Sequence, residues 1–253
     1  MAAAVGAASV AVALSQSGRW GLDDPRVWLL LSLGIALLVV LVVRARRPGS
    51  LLDPRLLQHR PFLIATTGAG VQQLGFLAWW VTTGIVLREV WEWTVLETGY
   101  ALSVGMVVSG SAGLLGGRLA GRFGYVGTSV VGSVLAGLGP LIWVTTMETQ
   151  AAFWSVYLPG LVIFMLGAGM SGILPTGAAL AGMPGELLGG ANAAHSTVRR
   201  LGASIGLAVM AALLGEGTGS ALLDGARAVF VMVAIAHLGL IPFMLWYGRM
   251  VRR

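Results

Sequence analysis

Eight long apolar stretches run along the chain, separated by short polar gaps. They cover residues 1–14, 27–43, 62–87, 98–117, 126–147, a stretch that starts near 151, one that ends near 215, and 228–247. A helix needs about 20 apolar residues to cross the hydrocarbon of a bilayer. A membrane barrel would instead show segments of roughly ten residues alternating between apolar and polar, and no such alternation is visible. The pattern predicts an all-α, polytopic membrane helix bundle of about eight spans. The first stretch is short for a span, but no positively charged segment precedes it, so it reads as a span rather than a signal peptide. The seventh has only residues 201–215 uncharged between Arg200 and Glu216. That span must begin earlier and carry Arg199 and Arg200 near its inner end. Pro61 falls in a first helical turn, where its missing N–H costs little. Pro159 and Pro175 fall within the sixth span.

The gaps alternate in charge. Assigning alternate gaps to opposite sides puts Arg44, Arg46, Arg47, Arg55, Arg60, Arg118, Arg122, Arg199, Arg200, Arg249, Arg252 and Arg253 on one side. The other side receives Arg19, Arg26, Arg88 and Arg227, with most of the acids. Short Arg-rich loops remain cytoplasmic. The expected location is therefore a bacterial plasma (inner) membrane with both termini cytoplasmic.

Composition narrows the function. The chain is 57% hydrophobic and 10% charged, where a soluble domain averages about 25% charged. The net charge of +6 does not point to nucleic acid, because the Arg residues are dispersed at helix ends rather than gathered on one solvated face. The lipid bilayer, with its anionic headgroups, explains them. There is no cysteine, which excludes disulfides and thiolate metal sites. His59, His195 and His237 lack metal-ligand spacing. Paired catalytic carboxylates, G-x-S-x-G, a phosphate loop and H-E-x-x-H are all missing, so neither an enzyme nor a cofactor is expected. Trp20 and Trp28, Trp143 and Trp154, and Trp246 with Tyr247 are expected to anchor span ends at the interfaces. Ala101, Gly105, Ser109, Gly113 and Gly117 form a small-residue stripe at four-residue spacing, and Gly202 and Gly206 repeat the device. Such stripes let neighbouring helices approach closely in lipid.

Four segments bear a family likeness. They are Leu51-Leu52-Asp53-Pro54-Arg55-Leu56-Leu57 with Arg60-Pro61-Phe62; Leu96-Glu97-Thr98-Gly99; Gly117-Arg118-Leu119-Ala120-Gly121-Arg122-Phe123-Gly124; and Thr197-Val198-Arg199-Arg200-Leu201-Gly202 with Gly206 beyond. In that order and at those topological positions, the chain resembles the C-terminal portion of a fourteen-helix drug/proton antiporter of the major facilitator superfamily. The resemblance implies two extra central helices over 1–43, a cytoplasmic link over 44–60 and a six-helix C-terminal half over 61–253. It departs from the family pattern at Gly121, where the loop Asp is expected. No Asp or Glu lies inside any predicted span, so the chain alone offers no buried carboxylate for a proton relay.

Candidate chemistry follows from the third and sixth spans. Gln72, Phe76, Trp79 and Thr83 follow i, i+4, i+7, i+11 spacing and share a helix face, with Gln73 and Trp80 beside them. An amide next to aromatic rings suits a hydrophobic cation, which the ring faces attract. The alternative is that Gln72 bonds a neighbouring helix and the rings face lipid. By resemblance, the corresponding helix lines a central cavity, as does the sixth span with Tyr157, Phe164 and Met165. Gly117, Arg118, Arg122, Gly124, Arg199, Gly202 and Gly206 are expected in gating or structural roles. Arg199 either snorkels to headgroups or contacts an adjacent helix. Arg200 points about 100° away, so the two are not expected to face one partner. The resemblance implies export of hydrophobic, cationic small molecules by alternating access, proton-coupled in the complete protein. An N-terminal half-transporter or a second copy would be the partner, and the competing expectation is an inactive fragment or membrane-embedded interaction subunit.

Overall fold

A computed structural model describes residues 54–172, 183–215 and 217–251, with isolated positions between 24 and 36 and at 177 and 180. The expected span over 1–14, most of the one over 27–43 and the link as far as residue 53 lie outside the described residues. Among the described residues there are helices and short turns but no strand. The molecule is a polytopic all-α bundle. A short helix, α1 (Pro54–Gln58), precedes α2 (Arg60–Glu89), α3 (Val95–Phe123) and α4 (Tyr125–Thr146). One turn of π-helix over Phe153–Tyr157 leads into α5 (Leu158–Ser171). Then come α6 (Gly185–Leu214), α7 (Ser220–Leu238) and α8 (Leu240–Val251). With α7 and α8 taken as one span through Gly239, six segments among the described residues are long and apolar enough to cross a membrane.

Local chemistry sets the boundaries. Thr94 caps α3: its hydroxyl accepts from Glu97 N at 3.3 Å while the Glu97 carboxylate accepts from Thr94 N at 2.8 Å. This reciprocal cap satisfies two otherwise orphaned N–H groups. The expected end of α3 at Gly117 is corrected, since the helix runs on through Arg118 and Arg122 to Phe123. The reversal into α4 then takes one residue, Gly124, at φ 85° and ψ 148°, a conformation that costs other residues dearly. Pro159 lies in the first turn of α5, directly after the π-helical turn, so it starts the regular helix instead of kinking its middle. Pro175 lies outside the described residues. Pro140 sits inside α4. Next to it, α4 and α5 approach so closely that a Cβ on Gly139 would stand 2.6 Å from Phe164 N.

The helices alternate in direction, and contacts at their ends fix two poles. Arg55 faces Glu186 at 3.9 Å, and Gly248 packs on Val126. The starts of α2, α4 and α6 and the end of α8 therefore share one pole, which carries Arg55, Arg60, Arg118, Arg122 and Arg249. At the other pole, Trp91 Nε1 donates to Glu148 O at 2.9 Å and Arg227 donates to Met147 O at 2.9 Å and to Asp224 at 2.7 Å. Arg88, Glu89, Glu92 and Glu97 lie there too. The charge alternation of the sequence is thus a polarity of the bundle.

Two apolar clusters fill the interior. The larger is aromatic and lies among α2, α4, α5 and α7. The smaller, around Leu56, Phe62, Ala65, Leu187, Leu240 and Met244, sits toward the Arg-rich pole. On α3 the inward residues are Ala101, Gly105, Ala112, Gly116 and Ala120. The four-residue stripe predicted from sequence packs on α5 as far as Gly113: Gly105 meets Leu161 and Met165, and the backbone at Ser109 and Gly113 meets Gly169. Each step of four turns 400°, so the stripe drifts about 40° per step, and Gly117 ends exposed, where a Cβ would meet only open space.

Candidate functional site

Helix α2 carries most of the candidate binding residues and divides them between two flanks. On the flank toward α4, α5 and α7, Trp79 is fully buried, 4.4 Å from the Phe164 ring and stacked on Trp143 at 5.6 Å. Trp143 in turn stacks on Tyr157 at 5.5 Å and donates its indole N–H to the Val156 and Tyr157 carbonyls, both at 3.2 Å. Phe76 lies 6.2 Å from Phe164 and 6.3 Å from Trp80. Thr83, Tyr157, Phe164 and Met165 are buried as completely as Trp79. Gln72 donates to Ser171 Oγ at 2.9 Å and to Ala168 O at 3.3 Å.

The four residues spaced along one face of α2 do share that face, but it is turned into the neighbouring helices. Trp79, Thr83, Tyr157, Phe164 and Met165 form packed interior, with the Trp79 ring covered by other rings, while Gln72, Phe76 and Trp80 are half-buried. Trp143, expected at an interface, is at the centre of the stack, while Trp154, 78% exposed, fits the anchoring role. Trp79 Nε1, Thr83 Oγ1 and Tyr157 OH find no hydrogen-bond partner, so ring contact and dispersion carry this packing.

The other flank of α2 meets α6 backbone to backbone. Gly202 rests on the Gly70 carbonyl and Gly206 on the Leu74 carbonyl, with no room for a Cβ at either position. These glycines, expected in gating or structural roles, each have a specific packing partner on α2. The two contacts, each four residues further along both helices, share one register, with the helices parallel. In that register Arg199 stands level with Thr67, about 10 Å along α2 from Arg60. Its Nη2 donates to Gln73 Oε1 at 3.1 Å. Gln73 lies next to the midpoint of α2. The guanidinium therefore reaches toward the middle of the bundle, away from the Arg-rich pole that snorkelling would seek. One turn nearer that pole, the buried His195 holds its Nδ1 3.3 Å from Thr66 Oγ1.

Beside the Arg199–Gln73 bond opens a groove of about 290 Å³, lined by Gln73, Ser196, Arg199, Arg200 and Ala203. Arg200 shares it with Arg199, which corrects the expectation that the two face different partners. A 100° separation at the backbone does not keep apart two side chains that each extend several ångströms. The lining contains two guanidiniums, a hydroxyl and an amide, and no carboxylate.

The remaining gating candidates lie at the α3–α4 corner. Arg118 and Arg122 are exposed, and the Arg122 guanidinium stands 5.4 Å over the Phe123 ring. Gly124 is the turn itself. Sequence reasoning missed Ser171, Ser196 and Ala203. Ser196 stands three residues before Arg199 on the same helical face, a signal that was legible. Ser171 became visible only through the packing of α5 against α2.

No family model matches the chain. Over 245 residues it is 25% identical to an uncharacterised MFS-type transporter, YcnB, of Bacillus subtilis (strain 168), covering 91% of this chain and 50% of that protein. The chain spans about half the length of the curated relative it matches. Together with the six membrane-capable helices among the described residues, the likeness supports a multi-pass membrane protein similar over its length to half of an MFS-type transporter.

Proposed function

We propose that this chain carries two extra helices over 1–43 followed by the C-terminal six-helix half of a major-facilitator transporter, and that it moves hydrophobic small molecules across a membrane by rocking against a second half. The observation that carries this reading is the match of nearly the whole chain to half of an MFS-type transporter, on a six-span bundle. The two-flanked α2 supports it. The aromatic stack makes α2, α4, α5 and α7 one stiff unit, while the α2–α6 flank opens a polar groove beside apolar helix faces. In this reading the direction of transport is export and the Arg-rich pole is cytoplasmic. Among the described spans, acids occur only near the helix ends: Glu89 closes α2, Glu97 and Glu186 lie in the first turns of α3 and α6, and Asp224 is the fifth residue of α7. Proton coupling through a buried carboxylate would therefore fall to the other half.

The test is an efflux assay on cells loaded with a hydrophobic dye. The chain is expressed alone, with a six-helix N-terminal half, and as a tandem of two copies. Dye efflux that needs a second half is the expected result. The absence of efflux in every combination, with the chain present in the membrane, would favour a membrane-embedded subunit without transport activity.

A further inference from the structure

We propose that the groove between α2 and α6 binds the carboxylate of a small organic anion, held by Arg199 and Arg200. The inference rests on the transporter reading above and gives that site its substrate charge. Two guanidiniums line one opening of about 290 Å³ together with Ser196 and Gln73. Neither guanidinium is at the Arg-rich pole: by the Gly70–Gly202 register both begin about 10 Å inside it. Charged groups at such depth in a span are rare and mark ligand or ion pathways.

Arg199 is held in place by Gln73, whose Oε1 accepts from it, so the amide N–H groups remain as further donors. Ser196 adds a hydroxyl donor. The lining can thus offer guanidinium, amide and hydroxyl donors, with Gln73 Oε1 already engaged by Arg199 and no carboxylate present to satisfy the charge. Planar guanidiniums match the two oxygens of a carboxylate. The same lining repels a cation. The Trp79 ring, which could have attracted one, is covered in the packed stack.

Benzoate and benzamidine test the sign directly, since they share one ring and carry opposite charges. Radiolabelled benzoate is titrated onto the purified full chain in a non-ionic detergent, with each probe also offered as competitor. The expected result is saturable benzoate binding that unlabelled benzoate displaces and benzamidine does not. Arg199→Gln combined with Arg200→Gln should weaken it about tenfold or more, as loss of charged hydrogen bonds does. Arg199→Lys, which keeps the charge but not the planar fork, should bind benzoate more weakly than the parent and more tightly than the double variant. Arg249→Gln removes one charge at the far end of α8 and should leave binding as it was. Displacement by benzamidine, equal benzoate binding by the double variant, or no saturable binding by a helical, monodisperse chain would each overturn the proposal. Because the readout needs no transport, benzoate binding without efflux removes the transporter reading and leaves the groove. Dye efflux without benzoate binding does the reverse.

Discussion

The two flanks of α2 are built on opposite principles. Toward α4, α5 and α7 the helix presents large rings, and Trp79, Trp143, Tyr157 and Phe164 fill the space between helices completely. Toward α6 it presents Gly70 and the Leu74 backbone, and the contact is made by removing side chains at Gly202 and Gly206. In lipid, dispersion and close approach hold helices together, since the tails are as apolar as the side chains. Both arrangements satisfy that requirement. They differ in what they leave behind: rings leave no open space, whereas backbone contact leaves a groove at its edge where longer side chains can reach out. One flank fixes the bundle, and the other can bind.

The largest effect that could break this division belongs to Trp79→Ala. It removes the ring between Phe164 and Trp143 and should cost about 3–5 kcal/mol, as large aromatic truncations in packed interiors do. Thermal unfolding of the purified chain in mild detergent would measure it. A variant as stable as the parent would mean that the stack does not hold the bundle. Gly206→Leu probes the other flank. Its side chain must push α6 off the Leu74 carbonyl, and overpacking of this kind costs about 1–3 kcal/mol. It should also weaken benzoate binding, because Arg199 and Gln73 sit on the two helices being separated. Lower stability with unchanged binding would show that the groove does not depend on the α2–α6 register.

Much of this bundle was legible in the hydrophobic pattern. The six described spans fall where the apolar stretches put them, because lipid demands length and apolarity with few exceptions. The early start of α6 was legible for the same reason: residues 201–215 are too few to span. The α3–α4 corner was not, because the Gly and Arg residues between 117 and 124 look like a loop. In the fold, Arg118 and Arg122 extend the helix past the apolar segment, and Gly124 alone makes the turn. The site was read in part. The common face of Gln72, Phe76, Trp79 and Thr83 was correct as periodicity. Yet periodicity reports which residues share a side, not whether that side meets a cavity or a neighbouring helix. Arg199 was singled out as an isolated charge, but its companion Arg200 was assigned elsewhere because helical angle alone ignores the reach of a guanidinium.

The finest test separates two adjacent residues. Gln72 and Gln73 are about 100° apart on α2. One bonds Ser171 on the packed flank and the other accepts from Arg199 at the groove. Gln72→Ala removes a hydrogen bond between helices, a change that averages about 0.6 kcal/mol in membrane bundles. It should lower the unfolding midpoint slightly and leave benzoate binding alone. Gln73→Ala removes no contact between packed helix interiors, so stability should barely move, while Arg199 loses its anchor and benzoate binding weakens severalfold. Measured side by side, the two variants should fall on different axes. If Gln72→Ala weakened binding while Gln73→Ala did not, the amide that matters would be on the aromatic flank, and that flank would have to open during function. If both variants moved stability and binding together, α2 would be a single surface and the separation of fixing from binding would be lost.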